Sequence, residues 1–278
     1  MGFLLLAILS SSMISIVMRF SSSKISANLT MIATNYFVCS LLGAVYAGFD
    51  LVRPGVQGFP VTLGLGLISG VLYLTSLMMF QSNTNKRGVV LSSVFMKLGL
   101  LVPIVASVLF FSEIPTVYQI VGFVIAIGAI ILINRNSEAG GQSFGIGLII
   151  MLLLSGGADV MAKIFDVLAP QDLSVLYLFY NFATACVLCV VLVIRNKERP
   201  SYREFLYGTL MGIPNFFSAK FLLASLTQLP AVVVYPSFSV ATMLIVTLTG
   251  VVAFRERLSK LQWVALAAII AALVLLNI

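Results

Sequence analysis

Histidine is absent from all 278 residues, and charge is scarce: Asp, Glu, Lys and Arg together make 9% of the chain. Without histidine there is no imidazole general base, no H-E-x-x-H metal site and no histidine phosphotransfer. Neither a G-x-S-x-G nucleophile turn nor a nucleotide-binding P-loop is present. No catalytic group, metal site or cofactor is therefore expected, and the chain does not read as an enzyme. The three cysteines, Cys39, Cys186 and Cys189, fall inside apolar runs. They are expected to pack as small apolar groups rather than to form a disulfide framework. A soluble domain carries about 25% charged residues, so a chain this poor in them lacks the polar groups to cover a water-facing surface.

What the chain does have is apolar length. Hydrophobic residues make 60% of it, and the mean hydropathy is +1.13. Continuous apolar runs occupy about 2–18, 29–49, 59–80, 88–111, 115–133, 144–168, 173–194, 205–226, 231–254 and 261–278. Each approaches the roughly 20 residues that a helix needs to cross the hydrocarbon. None alternates as a membrane strand does. The fold class expected is an all-α polytopic membrane protein of ten transmembrane helices. The first run has no basic leader and no small-residue cleavage site, so it reads as a retained helix.

The chain also repeats itself. FFSEIPTVYQIVGFVIAIGAIILIN (110–134) aligns with AFRERLSKLQWVALAAIIAALVLLN (253–277), pairing Glu113 with Glu256, Gln119 with Gln262 and Asn134 with Asn277 at an offset of 143. Gly2 and Gly145, and Met18 and Met161, keep that offset, while GLISG (66–70) and GTLMG (208–212) recur at 142. The expected organisation is a first five-helix repeat over 1–134, a linker over 135–143 and a second repeat over 144–278. An odd number of helices per repeat makes the second enter the membrane from the opposite side. Such inverted repeats are associated with secondary transporters, whose substrate site lies near the midplane between the halves. TVYQ (116–119) and SKLQ (259–262) both read as capping boxes opening the fifth helix of a half, which gives Gln119 and Gln262 a structural role. Glu113 and Glu256 stand near helix N-termini, where an acid is favoured, as structural or gating residues.

The stretch SEIPTVYQIVGFVIAIGAIIL resembles the end of an EamA-type repeat, and ADVMAK (158–163) resembles the lysine-bearing end of a repeat's first helix. EamA-type proteins belong to the drug/metabolite transporter (DMT) superfamily. The resemblance implies ten helices in two halves and a transporter of small polar metabolites, often an exporter. It covers essentially the whole chain, although Trp263 and Ala265 break the small-residue spacing in the second copy.

Polar residues inside the runs mark a candidate cavity. Lys97 sits within a stretch, 88–111, that holds no other charge, and a cation at mid-bilayer costs about 2.5–3.5 kcal/mol on the lenient insertion scale. Ser93 shares its face one turn away. Lys220 is a second deep cation. Asn35, Tyr73, Asn181, Tyr235 and Ser239 add polar groups on other helices, and Asp159 stands four residues before Lys163, a spacing that favours mutual neutralisation. Lys97, Asn35, Tyr73, Ser93, Asp159, Asn181, Lys220, Tyr235 and Ser239 are thus the expected substrate-binding set. If Asp159 and Lys163 cancel, the interior is positive and attracts an anionic or zwitterionic small molecule. The alternatives are a channel, a lipid flippase or a non-transporting membrane scaffold. A proton is the candidate coupling ion.

The net charge of +7 comes from 16 basic and 9 acidic residues. The basic ones gather beside helix ends, so no nucleic-acid partner is implied. The bilayer and a small-molecule substrate are the expected partners, and a prokaryotic cell (inner) membrane the expected location. Twelve basic residues follow odd-numbered runs and two, Arg53 and Lys163, follow even-numbered ones. The positive-inside rule then places both termini outside, whereas proteins of the resembled family are usually described with cytoplasmic termini. In either case the termini share a face opposite Lys197. A cysteine introduced at Lys197 should react with an impermeant maleimide only from the side opposite a tag on the N-terminus; labelling of both from one side refutes seven crossings before residue 197.

Overall fold

The structure is a computed structural model that describes residues 2–102, 105–106, 116–118, 120–122, 124–129, 146–226, 228, 231–256 and 258–275, without the side chains at 100, 166, 223, 226, 231–233, 235 and 236. Among the described residues it is all-helical. The helices are α1 (Gly2–Ser21), α2 (Asn28–Tyr46), α3 (Phe59–Arg87), α4 (Val89–Lys97), α5 (Ile146–Leu168), α6 (Ser174–Arg195), α7 (Tyr202–Leu226), α8 (Ala231–Val252) and α9 (Lys260–Leu275). Short 3₁₀ turns follow α4 (Leu98–Leu100) and precede α6 (Gln171–Leu173). A further helical stretch covers 124–129.

Five helices, Gly2–Ser21, Asn28–Tyr46, Phe59–Arg87, Ile146–Phe165 and Gln171–Arg195, are long and apolar enough to cross a bilayer by length and composition. The protein is an integral, multi-pass membrane protein. Its outward faces fit lipid: Phe37, Leu41 and Val45 form an exposed apolar stripe along α2 at the i, i+4, i+8 spacing of one helix face.

The principal contacts join helices far apart in sequence. α2 packs on α6, α3 on α5 and α1 on α7; next come α2 on α7 and α3 on α6. α1 also meets α8, and α4 meets α5. Exchanging α1–α4 with α5–α8 maps this set of pairs onto itself: α3–α5 becomes α1–α7, α2–α7 becomes α3–α6, α1–α8 becomes α4–α5, and α2–α6 is its own image. By contrast, α2 and α3 touch little although they are consecutive.

Lipid is as apolar as leucine, so helices in a bilayer associate by close packing and hydrogen bonds rather than by hydrophobic expulsion. The two Gly-xxx-Gly segments supply that packing. A Cβ on Gly66 would lie 2.7 Å from Cβ of Tyr180, and one on Gly70 would lie 2.5 Å from the Asn181 carbonyl. The same relation holds across α7 and α2: Cβ positions on Gly208 and Gly212 would lie 2.7 Å from the carbonyls of Met31 and Asn35. Both crossings bury an asparagine, Asn181 at 2% exposure and Asn35 at 0%. Tyr36, Phe80, Phe95, Phe182 and Phe216 are the largest side chains fully buried around them.

The two crossings can be tested with one methyl group each. Gly70→Ala and Gly212→Ala should each lower the melting temperature of the purified protein, by the equivalent of about 1–3 kcal/mol of overpacking. Gly64 has nothing within 4 Å of a Cβ position, so Gly64→Ala should be neutral or stabilising by up to about 1 kcal/mol of helix propensity. Equal effects at all three positions would contradict close packing at the crossings.

Candidate functional site

The lysine in the apolar run sits where α4 meets α1. Ser11 and Ser15 stand one turn apart on α1, and Ser93 and Lys97 stand one turn apart on α4. Equal spacing lets the two pairs face each other as rungs. The Ser93 hydroxyl donates to Oγ of Ser15 at 3.3 Å, and the Lys97 ammonium donates to Oγ of Ser11 at 3.3 Å. The ammonium also lies 4.1 Å from the ring centroid of Phe238 on α8. A desolvated cation–π contact is worth about 2 kcal/mol, and a hydrogen bond to a charged group about 1.5 kcal/mol or more. Together these match the roughly 2.5–3.5 kcal/mol cost of the cation at mid-membrane. A ring and a hydroxyl hold the charge without neutralising it.

Asp159 on α5 makes no ion-pair contact among the described residues, either with Lys97 or with Lys163 one turn along its own helix. The expected neutralisation of Asp159 by Lys163 is not formed. Asp159 is instead exposed, and it interacts electrostatically with Lys97, Tyr73 and Tyr177. Tyr177 is 5% exposed; its hydroxyl donates to Ser69 Oγ at 3.0 Å and its ring stacks on Phe165 at 4.7 Å. Ser69 and Tyr73 belong to α3, Tyr177 to α6 and Lys97 to α4. Five helices, α1, α3, α4, α5 and α6, thus bring polar groups around one Lys–Asp couple of opposite charge and no contact, with Phe238 of α8 beneath the cation.

Other members of the expected set lie elsewhere. Asn35 is sealed in the α2–α7 crossing, where Asn215 Nδ2 donates to its Oδ1 at 3.2 Å and its own Nδ2 has no partner. Asn181 occupies the equivalent α3–α6 crossing, and its Oδ1 is likewise unpartnered. Lys220 places its ammonium over the ring of Tyr46, beside Phe216 and Phe217. Ser239 is buried at 2% exposure on α8, one residue after Phe238. The Tyr235 side chain, Glu113 and Gln119 lie outside the described residues.

Gln262 closes a capping box: Ser259 N–H donates to its Oε1 at 2.8 Å, and its own N–H donates to Ser259 Oγ at 3.2 Å. Glu256 caps a helix from which it is remote in sequence. Its carboxylate accepts the N–H groups of Val89 at 2.8 Å and Val90 at 3.2 Å, the first turn of α4, and meets Arg19 Nε at 3.2 Å. Gly88, at φ +88, leaves no space for a Cβ, which would stand 2.8 Å from Oε2 of Glu256.

Two carboxylates that the sequence reading passed over act in the same way. Glu198 accepts the N–H of Leu29 at 3.2 Å and the N–H and hydroxyl of Thr30 at 2.8 Å each. Glu204 accepts the N–H of Ser26 at 3.1 Å, of Ala27 at 3.2 Å and of Ser201 at 2.8 Å. The Ser201-x-x-Glu204 spacing is a capping-box signal visible in the sequence. Nothing local announces that Glu204 also reaches the start of α2. All three carboxylates sit among the basic loops that follow α1, α3, α6 and α8.

Residues 143–278 match the EamA-like transporter family. An uncharacterized protein of Haemophilus influenzae is 26% identical over 284 residues, spanning 95% of this chain and 93% of that one. A solved crystal structure superposes with a TM-score of 0.63 at 18% identity, covering 98% of this chain and 94% of its own, which shows a shared fold.

Glu256→Ala removes the acceptor for two α4 amides and leaves Arg19 without its partner. The melting temperature should fall by the equivalent of about 1–3 kcal/mol. Glu256→Gln keeps a carbonyl for the amides and loses only a partly exposed ion pair, so it should cost less, about 1 kcal/mol. Equal losses in a thermal melt of the two variants would refute the capping role.

Proposed function

We propose that the whole chain is a secondary active transporter, an exporter or exchanger of a small polar metabolite, anionic or zwitterionic; the match of residues 143–278 to the EamA-like transporter family supports this reading. It works in a bacterial cell membrane by alternating access of two five-helix halves related as an inverted repeat. The bacterial relative supports the location. The reciprocal packing of α1–α4 on α5–α8 supports two related halves, as does the recurrence of each Gly-xxx-Gly crossing between a third helix of one half and a second helix of the other.

The observation that carries the reading is Lys97: a cation inside the bundle, solvated by Ser11 and Phe238 and not ion-paired. Intramembrane charges face a bundle interior or a wet cavity and mark substrate or ion pathways. Asp159, exposed and within electrostatic range, offers the opposite charge on a neighbouring wall. An anionic group of the substrate completes the coordination of Lys97, and a cationic group, where the substrate is zwitterionic, faces Asp159. The α1–α4 serine rungs and the tyrosines of α3 and α6 supply neutral hydrogen bonds around the couple. A proton exchanged at Asp159 supplies the coupling in this reading.

Alternating access requires the halves to part at one face and close at the other. The Glu256 clasp suits closure at the basic face, because it joins α1 and the start of α4 to the loop after α8 through three contacts that break together. Pro214 inside α7 removes one backbone hydrogen bond near the α2–α7 crossing, which makes that helix a place for bending.

Reconstitution of Lys97 variants in liposomes tests the reading. Lys97→Met strands no ion-paired carboxylate, so the variant should melt within a few degrees of the parent, yet lose saturable counterflow exchange of the transported metabolite. Lys97→Arg should keep part of it. A buried pair broken by mutation costs about 3–5 kcal/mol; a loss of that size in Lys97→Met, rescued by Asp159→Asn, would instead assign Lys97 to structure. A Lys97→Met protein with unaltered stability and unaltered exchange of every tested metabolite overturns the proposal.

A further inference from the structure

On the basic face, between the start of α2 and the end of α3, lies a groove of about 270 Å³. Asn28, Gln81, Asn85 and Lys86 line its polar end, and Ile32 and Met78 its apolar end. The gradient follows depth. Ile32 lies one turn beyond Asn28 along α2, and Met78 lies about two turns before Asn85 and Lys86 along α3. The apolar part of α3, residues 59–80, already matches the roughly 20 residues needed for the hydrocarbon. The polar run QSNTNKR that completes the helix at Arg87 therefore stands at headgroup depth.

The groove opens sideways, toward lipid. Leu67 and Val71 are exposed at 45% and 47%, and Thr75 is exposed on the same face. Met78, Ser82 and Asn85 continue that stripe at spacings of 3, 4 and 3. The other side of α3, with Ser69, Ser76, Phe80 and Asn83, is buried in the bundle. The polar rim is fixed rather than loose: Gln81 is 3% exposed, and its Nε2 donates to Asn28 Oδ1 at 2.7 Å. Lys86 is exposed and in no ion pair among the described residues. α2 and α3 touch little, so the groove is a gap in the bundle wall at the level where lipid phosphates lie.

We propose that this groove is a binding site for an anionic phospholipid, with the phosphate at Lys86 and Asn85 and the upper part of an acyl chain against Met78 and Ile32. Basic pockets between transmembrane helices suit such headgroups. The lipid bridges two consecutive helices that have little direct contact, and so steadies the start of α2, which Glu198 from the α6–α7 loop and Glu204 from the first turn of α7 also hold. The site is separate from the Lys97 couple and does not depend on what the protein transports.

The test uses the full-length protein purified in neutral detergent and titrated with phosphatidylglycerol or phosphatidylcholine of the same chains, with bound lipid counted by native mass spectrometry and melting followed in parallel. Phosphatidylglycerol should be retained in preference to phosphatidylcholine and should raise the melting temperature more. Lys86→Gln should weaken its apparent affinity about fivefold, the effect of one basic residue at a headgroup, while Lys260→Gln, a surface lysine elsewhere on the same face, should not. Met78→Trp, which fills the apolar end and leaves the charge, should also weaken binding. Equal retention of the two lipids, equal losses in Lys86→Gln and Lys260→Gln, or unchanged retention in Lys86→Gln would each overturn the proposal.

Discussion

Helices that share a bilayer gain nothing from expelling water, so their contacts depend on how closely two backbones approach. In this protein the approach is set at two places, Gly66 and Gly70 against α6 and Gly208 and Gly212 against α2. Each brings a backbone carbonyl to within contact of where a side chain would start. With these crossings closed, α2 and α6 meet at the centre, α1 settles against α7 and α5 against α3. The positions of α4 and α8, and hence of Lys97 and Phe238, follow from that frame. The crossings also explain the fate of Asn35 and Asn181. An amide beside a glycine pair lies between two backbones, so both asparagines are buried in helix contacts.

The Lys97 environment illustrates how a membrane protein keeps a charge available. A carboxylate in contact would solvate the ammonium and also cancel it. A hydroxyl and an aromatic face solvate it at comparable energy and leave its field intact. The serine rungs between α1 and α4 fix the amine at a defined height, and Asp159 remains on a different wall. Two opposite charges held apart in a medium of low dielectric create a strong local field.

The basic face is built from acids. Glu198 and Glu256 from loops, and Glu204 from the first turn of α7, each reach the start of a helix that lies more than 160 residues away in sequence. A helix N-terminus presents unpaired N–H groups and a partial positive charge, so a carboxylate satisfies both at once. Local capping would have stabilised single helices; capping across the chain ties the two ends of the molecule together at one surface, among the lysines and arginines that border it.

The sequence by itself determined the class of structure: scarce charge and long apolar runs permit only a helical bundle in lipid, and absent histidine removes most of the common catalytic chemistries. It also determined the repeated glycine spacing and the capping box at Gln262, because both arise from residues within two turns of each other. Lys97 and Ser93 were legible as one face for the same reason. Which helix that face would meet was not, nor that Asp159 would stand apart from Lys163 despite a favourable spacing. The reach of Glu256 to α4, the seating of Lys220 on the Tyr46 ring and the groove between α2 and α3 were decided only in the tertiary structure. Helical periodicity states which residues share a side; it carries no information on which side of another helix they will face, since that depends on contacts between residues far apart in the chain.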